Sequence, residues 1–60
     1  MTRQDWQINI EAVAASVAAK YGSEVAELVF RRYDATCFEN LSSIYYGEVF
    51  SDLMQIDEDG

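Results

Sequence analysis

The chain of 60 residues carries four basic and eleven acidic side chains, no histidine and a single cysteine, for a net charge of −7, while half of it is apolar. A length of this order allows one domain that buries only about 60% of the surface of its unfolded chain. Four cations make no footprint for a phosphate backbone, one cysteine makes no disulfide, and the lack of histidine removes both the usual neutral-pH base and the commonest transition-metal ligand.

Trp6, four tyrosines and three phenylalanines are too many for a disordered acidic segment, so the chain is expected to fold. Residues 1–60 read as a single domain. Met1-Thr2-Arg3-Gln4-Asp5 lacks the apolar stretch of a signal peptide, and no run approaches the roughly 20 apolar residues of a membrane span. A cytoplasmic chain with no membrane contact is the expectation.

From Ile10 to Tyr21, the apolar residues Ile10, Val13, Ala14, Val17, Ala18 and Tyr21 recur at helical spacing among good helix formers. A first helix over about 9–21 follows, with Asn9 as its cap, Lys20 near its negative end and Gly22 in a positive-φ conformation after it. Ser23 is a natural cap for a second helix over 23–33, with Val25, Leu28, Val29 and Tyr33 inward. One continuous helix through Gly22 is the competing possibility, because an interior glycine costs only about 1 kcal/mol against alanine.

Asp34 tolerates a left-handed conformation, and Thr36-Cys37-Phe38-Glu39 fits a capping box, which predicts a short helical turn near 37–41. Ser42 or Ser43 then opens a third helix over 43–56, with Tyr46, Val49, Phe50, Leu53 and Ile56 inward, fraying into Asp57-Glu58-Asp59. Lys20-Tyr21-Gly22 and Arg32-Tyr33-Asp34 echo one another, and both read as a helix stop followed by a restart. No strict alternation argues for a strand. The expected fold is an all-α, compact three-helix domain.

Residues for catalysis are scarce. The three glycines stand apart, at 22, 47 and 60, so no phosphate loop exists. Glu48 and Asp52 share a helix face at four-residue spacing, but away from the inner stripe, where a solvated face is expected. Cys37 has no neighbouring base and reads as a partly buried small residue. No catalytic residue, cofactor or metal is expected.

The first helix also carries a second stripe, Ile8, Ala12, Ala15 and Ala19, opposite the inner one. A helix apolar around most of its circumference is expected to be covered on more than one side, and small residues let another helix come close. Phe30, about 100° off the stripe of the second helix, and Tyr45, at the edge of the third, are candidate aromatic anchors. Alanines serving only as exposed helix formers, with aromatics completing a small core, is the alternative.

From Arg32, the run Arg-Tyr-Asp-Ala-Thr-Cys-Phe-Glu-Asn-Leu-Ser-Ser-Ile-Tyr-Tyr-Gly-Glu-Val-Phe-Ser-Asp-Leu resembles a segment recurrent in small accessory proteins of conjugative and other mobile elements in gut bacteria. It covers residues 32–53, with Asp34 where that pattern usually has glycine. The resemblance implies a mobile-element setting and a helical module sometimes joined to larger polypeptides. The expected function is a protein-protein interaction module that self-associates as a homodimer through helix 1. The alternative is an acidic inhibitor mimicking nucleic acid, encoded by a mobile element.

Overall fold

Thr2 starts the first helix earlier than the apolar spacing predicts. Its hydroxyl accepts from the Asp5 backbone N–H at 3.2 Å, and the Asp5 carboxylate accepts from the Thr2 N–H at 3.2 Å. This reciprocal box satisfies two of the orphan donors at a helix start. Asn9, expected as the cap, lies inside the helix and donates from Nδ2 to the Asp5 carbonyl at 2.8 Å.

A computed structural model describes residues 1–59, with α1 at Arg3–Tyr21, α2 at Ser23–Arg31, α3 at Tyr46–Asp59, and 3-10 turns at Phe38–Asn40 and Ser43–Tyr45. No strand occurs among the described residues. The fold is therefore all-α with three helices.

Gly22 alone joins α1 to α2. Its N–H closes α1 on the Ala18 carbonyl at 2.8 Å, and its own carbonyl accepts from the Val25 N–H at 3.2 Å. The residue has φ 103° and ψ 150°, a combination essentially restricted to glycine. Gly22 rather than Ser23 is thus the cap of α2, and no side chain caps it. Asp34 is the other positive-φ position among the described residues, at φ 60°. Both halves of the sequence echo accordingly mark helix stops.

The second helix ends at Arg31, short of Tyr33, because the next three residues close a turn. Tyr33 N–H reaches the Phe30 carbonyl at 2.9 Å, and Ala35 N–H the same carbonyl at 3.1 Å. The turn at 38–40 is then closed by Asn40 rather than Glu39. Asn40 Oδ1 accepts from the N–H groups of Thr36 and Cys37, and its Nδ2 donates to Thr36 Oγ1. Glu39 instead faces α1, within 3.8 Å of Arg3 and accepting from Gln7 at 3.4 Å.

The core takes Ile10, Val13 and Val17 from α1, Ala26, Val29 and Phe30 from α2, and Tyr46, Val49 and Leu53 from α3, with Ala35, Phe38 and Leu41 added from the segment that connects α2 to α3. Three positions differ from the expected stripe of the second helix. Leu28 points outward and is 59% exposed, whereas Ala26 and Phe30 turn inward. The segment that follows α2 folds back across the Phe30 side, bringing the fully buried Phe38 ring there, and this rotates the buried face of a nine-residue helix.

Near the start of α1, the Trp6 ring lies 6.0 Å from Tyr46 and 6.3 Å from Phe50. Toward its end, Ser16 Oγ donates to Asp57 at 2.6 Å and Lys20 Nζ sits 3.0 Å from the same carboxylate. α3 consequently runs parallel to α1, with α2 antiparallel to both. Asp57, expected in a fraying tail, is held in the last turn of α3 by these contacts and by Lys20 donating to its carbonyl at 3.1 Å. α1 alone spans about 28 Å at 1.5 Å per residue, which matches the longest dimension of the molecule, 28 Å.

Candidate docking face

The outer stripe of α1 is open. Ile8 is 60% exposed, and Ala12, Ala15 and Ala19 are all exposed. Apolar residues therefore occupy the solvent side of α1 as well as its core side. Nothing else in the fold covers that stripe, because α2 and α3 pack on the other faces of the helix.

Phe30 and Tyr45 are placed differently from this stripe. Phe30 is 5% exposed, so it is a core residue rather than a projecting anchor. Tyr45 is half-buried, and its ring meets Tyr33 at 5.1 Å. The six candidates thus divide into four that share an exposed helix face and two that are already engaged within the fold.

Beside the exposed stripe lies an open groove of about 410 Å³ between α1, α2 and the 36–38 segment. Ala14, Ala15 and Ala18 form one wall and Ala26 the other, with Phe30 and Phe38 at the floor. Ala15 belongs to both the stripe and the groove, so the two are continuous. The groove exists because four alanines line two helices joined by one residue: the helices are tied closely at Gly22, yet the short side chains leave the space between them unfilled.

Two carboxylates, Glu11 and Glu27, stand among the lining residues, and no basic side chain does. Glu27 pairs with Arg31 one turn along α2 at 3.3 Å. Glu11 makes no ion pair or side-chain hydrogen bond among the described residues. Cys37 lies on the groove lining and is exposed rather than partly buried, because its place at the start of the 38–40 turn directs Phe38, not the thiol, into the core.

Elsewhere the polar groups serve structure. Tyr33 donates to Asp52 at 2.6 Å, and this hydrogen bond, with some desolvation, raises the phenol pKa above 10. Asp52 also lies 3.7 Å from Arg32, so one member of the Glu48/Asp52 pair ties α3 to the end of α2. The Asp57 carboxyl is held below its ordinary range, first by the Ser16 hydroxyl and then by Lys20. No group of three or more metal-ligating side chains comes together among the described residues. Apolar contact flanked by negative charge is the chemistry this surface offers.

The groove itself was not foreseen as a surface. Its signal in the sequence is Ala14 with Ala18 at helical spacing, followed directly by a glycine break and Ala26, which together specify a helical hairpin with small residues on its inner side. No helix of the described residues is long and apolar enough to cross a membrane. Comparison of the chain with protein-family models, curated proteins and solved structures finds no match.

Proposed function

We propose that this chain is a protein-interaction module, without catalytic activity of its own, that docks another polypeptide on the outer side of α1. One observation carries this: an exposed apolar stripe, Ile8, Ala12, Ala15 and Ala19, runs directly into an apolar groove through Ala15. Exposed apolar surface of this continuity typically marks a contact site. Alanines along the stripe let an incoming backbone come close.

Two kinds of partner fit this proposal, a second copy of the chain and a different protein, the latter in keeping with an accessory module of a mobile element. A mimic of nucleic acid is less well supported. Such a mimic works through an ordered row of free carboxylates, whereas Glu27, Glu39, Asp52 and Asp57 are each ion-paired to a cation of the same molecule.

A photo-crosslinking residue placed at position 15, compared with one at the exposed Gln55 of α3, tests the proposal in producing cells. Crosslinked protein concentrated at position 15 is the expected result, and a product at twice 6.8 kDa identifies a second copy. Equal crosslinking from positions 15 and 55 would overturn the docking face.

A further inference from the structure

We propose that the groove between α1 and α2 receives a cationic amphipathic helix of another protein, rather than a second copy of this chain. This rests on the docking role of the α1 side. It goes further by naming the occupant from shape and charge.

The shape is a trough. Its α1 wall, from Glu11 to Ala18, covers about 10 Å of helix axis, or two turns. That length accommodates two or three apolar side chains of a docked helix at i, i+3 or i+4, and i+7 spacing. A small molecule requires enclosure of about 70–90% of its surface, which an open trough does not provide. Alanine walls leave room for the larger aliphatic or aromatic side chains of the incoming helix, and the buried Phe30 and Phe38 close the groove beneath them as part of the core.

The charge decides between partners. The groove lining carries Glu11 and Glu27 and no basic side chain; Arg31 pairs with Glu27 and Arg3 lies 5.1 Å from the Phe38 ring, which leaves Glu11 as the lining charge without a partner among the described residues. All four cations of the chain are engaged internally: Arg3 with Glu39, Lys20 with Asp57, Arg31 with Glu27, and Arg32 with Asp52. A second copy therefore brings a net charge of −7 and basic side chains that already have carboxylate partners. A helix with lysine or arginine flanking its apolar stripe meets the unpaired Glu11 and the net charge of −7, and its aliphatic stems extend the apolar contact.

The test uses the whole chain with a trifluoromethyl group attached to Cys37, the only cysteine, as a ¹⁹F reporter on the groove lining, together with ¹⁵N spectra. Three synthetic peptides of about 18 residues are titrated, long enough for measurable helicity: an amphipathic Leu/Lys helix, a scrambled peptide of the same composition, and an amphipathic Leu/Glu helix. The expected result is that the Leu/Lys helix alone shifts the ¹⁹F line and the amide signals of Ala14, Ala15 and Ala18. Its affinity should fall about tenfold in Glu11→Lys, and fall again when salt is raised to about 0.5 M.

Equal binding by the scrambled peptide, or shifts centred on Glu58 and Asp59, reduces the effect to net charge and overturns the proposal. Occupation of Ala14 to Ala18 by the Leu/Glu helix or by a dimer of the chain overturns the cationic helix while leaving the docking face standing. If neither peptides nor dimer touch those residues, the cationic helix falls, and crosslinking from position 15 decides the docking face separately.

Discussion

The two seams of α1 are built on opposite plans. Against α3 it sets Trp6, closed at the far end by Ser16 and Lys20 on Asp57, while Ile10, Val13 and Val17 enter the core shared by all three helices. Against α2 it sets Ala14 and Ala18, joined by the single residue Gly22, and leaves a groove. The parallel pair is closed along its length, whereas the antiparallel pair packs Val29 and Phe30 into the shared core and leaves its Ala14/Ala18/Ala26 side unfilled. On the proposed reading, the packed side of α1 carries stability and its open side carries binding.

The sharpest way to break this division is in the α3 seam. Leu53 is fully buried, and Leu53→Ala should cost about 2–5 kcal/mol, read as a lower urea midpoint with an unchanged slope. Next comes the connection. Gly22→Ala meets no neighbour within 4 Å but must hold φ 103°, so it should cost about 1–3 kcal/mol from backbone strain alone. A loss much smaller than this would mean that the α1–α2 seam has another fastening.

Asp57→Asn should have a smaller effect with a distinctive pH dependence. The folded carboxyl lies below its unfolded value, so its contribution is complete above the unfolded pKa of about 3.9 and is lost as pH falls through the folded value. The difference in urea midpoint between the wild type and the variant should be constant above about pH 5 and shrink below about pH 4. A difference that persists unchanged at pH 2 would contradict the role of the charge. Smallest of all, Ala15→Glu should alter stability by no more than about 0.5 kcal/mol, since the position is an exposed helical site. A larger loss would place Ala15 in the stabilising seam after all.

Local patterns made the three helices, the stop at Gly22 and the turn near 37–41 legible in the sequence. Ile10, Val13 and Val17, and later Tyr46, Val49 and Leu53, are inward as their spacing requires. The start of α1 was also written there, in Thr2-x-x-Asp5, but Asn9 beside the apolar stripe was the more obvious cap. Contacts between residues far apart in the chain were not legible. Nothing near Asp57 announces Ser16, and nothing near Phe30 announces that Phe38 will cover it. The groove required knowing how closely α1 and α2 approach, which depends on the two dihedral angles of Gly22.

The parallel course of α1 and α3 also has an electrical consequence. Each helix carries roughly half a negative charge at its C-terminal end, and those of α1 and α3 lie together around Asp57, beside Glu58 and Asp59, outweighing Lys20 and the positive start of α2 at the same end. Arg3 and Arg31 belong to the opposite pole, where α1 begins and α2 ends. The molecule is thus a dipole along its 28 Å axis as well as an anion.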